Sequence, residues 1–197
     1  MANFWNSTTV EPKRAYRWLM YLNDVPTYVV KVAKKPSFSV TSVPHQFVAH
    51  TFYYPGRITW DPVELTLVDP VSPDASAILA AKLQQAGYRL PTDQKTAEAS
   101  FSKAASVGAL GTPRITQIDA TGAPIDEWSL KNAWIERIDF GQLDYTSEEM
   151  VNMTMTLRYD YAEYSGAPLV PGQTSPRPVM VGGTTVTANL LNSILGT

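Results

Sequence analysis

The chain has 197 residues, of which 44% are hydrophobic and 17% charged, with a formal net charge of −2 at pH 7 and no cysteine. A chain of this length buries roughly 70% of the surface it exposes when unfolded, enough for a core without cross-links. The charge balance argues against a nucleic-acid grip, which needs clustered Lys and Arg, and the missing cysteines exclude a disulfide framework and a thiolate metal site.

Residues 1–13 are polar and irregular and read as an N-terminal arm. They hold no basic region followed by an apolar core, so no secretory signal is expected there. No run approaches the ~20 apolar residues that span a bilayer, and no membrane anchoring is expected. Fifteen prolines and eleven glycines, with few apolar helical patterns, favour a β-rich fold with many turns. Tyr16–Leu22 and Thr27–Ala33 are aromatic and β-branched runs around Asn23–Asp24–Val25–Pro26, which predicts a hairpin. Ser37–Thr41 alternates, with Phe38 and Val40 on one side. Gln46–Tyr53 and Thr59–Val68 follow, separated by the turn-prone Tyr54–Pro55–Gly56–Arg57. In the second of these, Val63, Leu65 and Leu67 alternate with Glu64, Thr66 and Val68; Pro62 marks the strand's entry or an edge.

A helix is predicted over residues 73–87, with Ser72 as N-cap, Pro73 at the first helical position and Gly87 at the stop. Ala75, Ile78, Leu79, Leu83 and Ala86 form its apolar stripe, and Lys82 falls at the stripe's edge, its stem on the apolar surface and its charge in water. Thr96–Ala105 has the composition of a second short helix, closed by Gly108, Gly111 and Pro113. Arg114–Asp119, a turn at Ala120–Thr121–Gly122, and Glu127–Leu130 make a second hairpin. The strongest local signal is Val151–Tyr161. Val151, Met153, Met155, Leu157, Tyr159 and Tyr161 fall on one face, and Asn152, Thr154, Thr156, Arg158 and Asp160 on the other, as in a half-buried antiparallel strand. Asp160 is placed to offset Arg158 as its i, i+2 neighbour. Residues 165–178 are rich in Gly, Pro, Ser and Thr and read as a linker; Leu190, Leu191, Ile194 and Leu195 then recur at helical spacing, in an arm that docks on its own domain or on a neighbouring subunit.

No catalytic signature accompanies these elements. G-x-S-x-G, the P-loop, H-E-x-x-H and the Rossmann glycine run do not occur, and Gly182–Gly183–Thr184–Thr185 lacks the lysine of a phosphate loop and reads as a hinge. His45 and His50, five apart on a strand-like segment, fall on opposite faces and share no metal there. Asp61 with Glu64, and Asp139 with Asp144, read as turn and solubility devices rather than acid–base pairs. The sequons Asn6–Ser7–Thr8 and Asn152–Met153–Thr154 are chance matches in a chain without a signal peptide. Trp60, Trp128 and Trp134 raise the alternative of a carbohydrate-binding β-sandwich, but Trp60 and Trp128 flank alternating strands and suit packing better. No enzyme, cofactor or metal site is expected.

The order of signals resembles a known family. Phe38–Val40 leading to Val43–Pro44, and Tyr54-Pro-Gly-Arg-Ile-Thr-Trp-Asp-Pro-Val-Glu-Leu-Thr-Leu before a capped helix, resemble the tail tube proteins of contractile-tailed bacteriophages. Leu130–Lys131–Asn132–Ala133–Trp134, Gly141–Gln142–Leu143–Asp144–Tyr145 and the Val151–Tyr161 strand are similar to its closing elements. The resemblance spans residues 14–164, about three quarters of the chain. It departs at Ile135, where the family often has Pro, and over residues 165–197, which its shortest members lack. The resemblance implies an antiparallel β-sandwich or small barrel with a flanking helix, assembling into stacked hexameric rings around a continuous β-barrel lumen. It implies a virion tail location, with synthesis and assembly in the bacterial host cytoplasm. The implied partners are other copies of the chain, a tail sheath, baseplate and terminator proteins, and double-stranded DNA sliding through without tight binding. A type VI secretion or other phage-like injection machine, as tube or tube-initiator, is the sister reading. Asn152, Thr154, Thr156, Arg158 and Asp160 become the candidate lumen wall.

Overall fold

The computed structural model describes residues 11–98, 100–166, 179–181 and 184–186. The first ten residues, Gly182 and Gly183, most of the expected linker and the apolar run from Leu190 to Leu195 lie outside the described residues. The chain divides into two compact units between Ser165 and Gly166.

The first unit is a sandwich of two four-stranded antiparallel sheets. One sheet orders β1 (Trp18–Tyr21), β6 (Arg114–Ile118), β7 (Pro124–Lys131) and β10 (Tyr161–Gly166). The other orders β2 (Val30–Ala33), β5 (Val63–Val68), β9 (Asn152–Arg158) and β8 (Trp134–Asp139). Met20, Ile115 and Leu130 from the first sheet meet Val63, Leu65, Leu67, Met153, Met155 and Leu157 from the second in one core. This is the mainly β, helix-flanked antiparallel fold that the resemblance implies, in its sandwich form. In the second unit, β11 (Val179–Val181) and β12 (Thr184–Val186) pair antiparallel.

Several elements differ from the sequence reading. Asn23–Asp24 is a tight turn, closed by a bridge between Leu22 and Val25, with Asp24 at positive φ. The flanking strands nonetheless make no hairpin. β1 pairs with β6 and β2 with β5, because a single 3-10 turn at Thr27–Val29 carries the chain from one sheet to the other. Tyr54–Pro55–Gly56–Arg57 is not a turn. It lies inside β4 (His50–Trp60), which pairs with β3 (Phe38–Phe47) in a long hairpin that turns at Val48–Ala49. The register shifts between Val40 and Ser42, where Arg57 donates its N–H to Thr41 Oγ1 at 2.9 Å. Gly56 sits in that bulge because a Cβ there would fall 2.3 Å from Thr41 Oγ1. The histidines accordingly occupy different strands, with His45 opposite Phe52 and Phe47 opposite His50, so they share one face of the hairpin.

The helix is α1 (Ala75–Gln85), capped by Asp74, whose side chain accepts from Ala77 N–H at 2.8 Å. It therefore starts two residues later than expected, without Ser72 as cap; the Ser72–Pro73 peptide is cis. Lys82 is not snorkelling. It is 2% exposed and donates to Asp24 Oδ2 and to the Ala109 carbonyl, each at 3.0 Å. The turn at Asp24 and the neighbouring α3 supply both acceptors. Among the described residues beyond α1 there are two helices, α2 (Gln94–Ala97) and α3 (Lys103–Leu110), rather than one across Thr96–Ala105. Ser102 caps the second through Ala105 N–H, and Gly108 lies within it rather than closing it. Gly141–Tyr145 is loop.

The long run Val151–Tyr161 also breaks. β9 ends at Arg158 and β10 begins at Tyr161, in the opposite sheet. Tyr159 remains buried at the corner, its ring 5.9 Å from Trp60, which in turn lies 5.1 Å from Phe38 at the hairpin base. Its hydroxyl is buried. Burial, and then the charge of Asp61, push its phenol up from 10.0 to about 12. A folded-state value above the unfolded one contributes stability that is whole below pH 10 and lost as pH rises toward 12. Spectrophotometric titration of the folded chain is expected to show Tyr159 ionising only near 12, and that late step is expected to vanish in denaturant. A Tyr159→Phe chain that keeps the late step would overturn the assignment.

Candidate functional site

The face of the second sheet that turns away from the core is polar. On β9 the burial alternates strictly: Met153, Met155 and Leu157 are buried while Asn152, Thr154, Thr156 and Arg158 point outward. Cross-strand register extends that outward set. Thr156 lies between Glu64 of β5 and Arg137 of β8, and Thr154 between Thr66 and Asp139. Lys31 of β2 donates to Asn152 Oδ1 at 3.3 Å.

Two of the three basic groups on this face, Arg158 and Arg137, are engaged by acids. Arg158 donates through Nε and Nη2 to Glu136 Oε1 at 3.1 and 2.8 Å. Arg137 lies 3.6 Å from Asp139. Lys31, Arg137 and Arg158 are thus matched in number by Glu64, Glu136 and Asp139. These pairs are half exposed and contribute little to stability. Their consequence is electrostatic: no cluster of free cations is presented to a polyanion.

Asp160 is placed elsewhere. It lies at the bend after β9, where its carboxylate accepts from Lys103 Nζ at 2.8 and 2.7 Å and from Asn132 Nδ2 at 2.7 Å. Those bonds, Lys103 first, hold its carboxyl below the usual range. Glu136, not Asp160, offsets Arg158. The sequence reading also missed Glu136, Arg137 and Asp139 as members of the face. The alternation of Glu64 and Thr66 with Val63, Leu65 and Leu67 was visible, but β8 carries a register shift between Ile135 and Arg137 that scrambles its period.

The tryptophans of the sugar-platform alternative are partly spent on packing, with Trp60 and Trp128 against the core and Trp128 4.9 Å from Tyr164. Among the described residues no group of His, Asp or Glu is arranged to hold a metal ion, and no helix is long and apolar enough to cross a membrane.

No family model matches the chain, and no curated protein matches it. Solved structures do. A chain of the anti-feeding prophage cap, the tube terminating cap, superposes with a TM-score of 0.61 at 18% identity, covering 85% of this chain and all (100%) of that one. A chain of the sheath-tube complex of an extracellular contractile injection system, PVC, in the extended state gives 0.59 at 15% identity over 79% and 93%. A chain of the six-fold symmetrised anti-feeding prophage baseplate gives 0.58 at 16% identity over 81% and 99%. The chain shares its fold with these chains of the anti-feeding prophage and of the extracellular contractile injection system.

Proposed function

We propose that the chain is a structural tube subunit of a contractile tail or a related injection machine, with residues 14–164 as its tube domain. The observation that carries this reading is the second sheet. It is buried on one face, polar and charge-matched on the other, and its outer strands β2 and β8 each pair on one side only among the described residues. Exposed edges invite pairing. Setting β8 of one copy beside β2 of the next preserves the antiparallel alternation, since β2–β5, β5–β9 and β9–β8 are all antiparallel. It also brings Glu136 and Asp139 of one copy toward Lys31 of the other. Both edges carry register shifts, at Val30/Val32 and Ile135/Arg137, which disfavour pairing with arbitrary strands.

A head-to-tail contact of this kind gives a ring when its rotation closes. Six copies per ring is supported by the six-fold symmetry in which one similar structure was resolved. The outward set Asn152, Thr154, Thr156 and Arg158 then lines the lumen. Duplex DNA or a polypeptide passing this wall meets hydroxyls, amides and charges matched in number, and is not held by the many phosphate contacts that tight binding requires. Sheath, baseplate and terminator proteins are the partners, as the settings of the similar chains support. The role is assembly rather than catalysis.

Negative-stain micrographs of the purified full chain, over a range of concentration and salt and with a baseplate seed, are expected to show rings or stacked tubes. Monomer throughout would end this reading.

A further inference from the structure

Of the four described tryptophans, Trp18, Trp60 and Trp128 pack against the core, and Trp134 does not. Trp134 opens β8 between Ala133, which has no exposed surface, and Ile135, which packs against the core. Successive side chains on a strand point to opposite faces, so the indole projects away from the core. The register agrees. Ile135 lies opposite the buried Leu157 and Trp134 opposite Arg158, which places the indole on the face that carries Thr154 and Thr156.

The second sheet has no other aromatic side chain in its four strands. The indole is half-buried, and its neighbours are polar. Glu136, the extra residue at the register shift of β8, turns to the same face and accepts from Arg158 Nε and Nη2. The indole therefore lies beside a guanidinium already engaged by an acid. It stands at the end of the sheet from which the β3–β4 hairpin leaves, just beyond the row of Val63, Leu157 and Ile135.

A neighbouring copy that pairs with β8 takes its hydrogen-bonding edge, in the plane of the sheet, whereas side chains stand perpendicular to that plane. A ring built by setting β8 beside β2 thus leaves the indole facing the lumen, and rotational symmetry repeats it at one height in every copy. Duplex DNA turns phosphates outward and finds no cluster of free cations at this height. An extended polypeptide presents aliphatic and aromatic side chains, which an indole face accommodates whatever the charge of the residues between them. We propose that Trp134 is a cargo contact, one member of an aromatic collar in the channel wall that engages apolar side chains of an extended polypeptide in transit. The inference rests on the tube reading and adds to it the class of cargo that the wall engages.

Tubes assembled from the full chain are mixed with a dye-labelled unstructured peptide rich in Leu and Val, or with a dye-labelled DNA duplex, and sedimented. Wild-type tubes are expected to retain the peptide and not the duplex. Trp134→Ala tubes are expected to retain about tenfold less peptide, and Trp134→Phe tubes an intermediate amount, because the contact is summed over the copies of a ring. Equal retention by wild-type and Trp134→Ala tubes, or stronger retention of the duplex, would overturn the proposal and leave the tube reading intact. The absence of cysteine supplies a second measurement. Trp134→Cys, which introduces the only thiol of the chain, is expected to react with a small maleimide in assembled tubes and to react more slowly with the peptide present. A thiol reactive in the free subunit but not in tubes would place position 134 in the seam between copies and overturn the assignment. Loss of assembly by a Trp134→Ala chain that folds normally by circular dichroism would do the same. A wild-type chain that forms no rings or tubes sinks the tube reading, and this inference with it.

Discussion

Leu157→Ala is expected to lower the unfolding free energy of the subunit by about 3 kcal/mol, read as a fall in the urea midpoint at unchanged slope. Leu157 has no exposed surface and lies between Val63 of β5 and Ile135 of β8 in the register of the second sheet. Truncation removes transfer free energy and leaves a void that two hydrogen-bonded neighbours cannot collapse into. The control lies in the same strand. Thr154→Ala, on the outward face, is expected to change stability by no more than about 0.5 kcal/mol. Measured on unassembled protein, equal losses at both positions would mean that the outer face is covered within the subunit, and a lumen wall there would be lost.

Asp24→Asn is expected to cost about 2 kcal/mol, for a different reason. Lys82 is buried with two acceptors, one of them the Asp24 carboxylate, which is itself mostly exposed. The Asn amide oxygen can still accept but carries no charge, so the buried ammonium keeps its acceptors and loses its counter-ion, and an uncompensated buried charge costs more than its ion pair contributes. Lys82→Met, which keeps the apolar stem and removes the charge, is expected to cost about 1 kcal/mol, chiefly for the unpaired carbonyl. With Lys82→Met already in place, adding Asp24→Asn is expected to cost almost nothing more. A double-mutant cycle measures that coupling, and strict additivity would show that the pair does not interact.

Much of the fold was legible from local pattern. The turn at Ala120–Thr121–Gly122, the hairpin it joins, the apolar faces of β5 and β9 and the helix after Val68 all follow from period and turn chemistry, although the cap of that helix is Asp74 rather than Ser72. Of the candidate site, Asn152, Thr154, Thr156 and Arg158 were legible for the same reason. Glu136 was not, because its role depends on a bulged neighbouring strand.

Alternation determines which face of a strand is buried, since successive side chains point oppositely whatever the partner. It is silent on which strand lies alongside. Met153, Met155 and Leu157 were bound to face a core in any arrangement. Only the tertiary structure decided that the run breaks at Tyr159–Asp160 to serve two sheets, that β1 and β2 part after a tight turn, and that Lys82 meets Asp24. Those outcomes depend on pairings between segments distant in the chain, whose energies no local window contains.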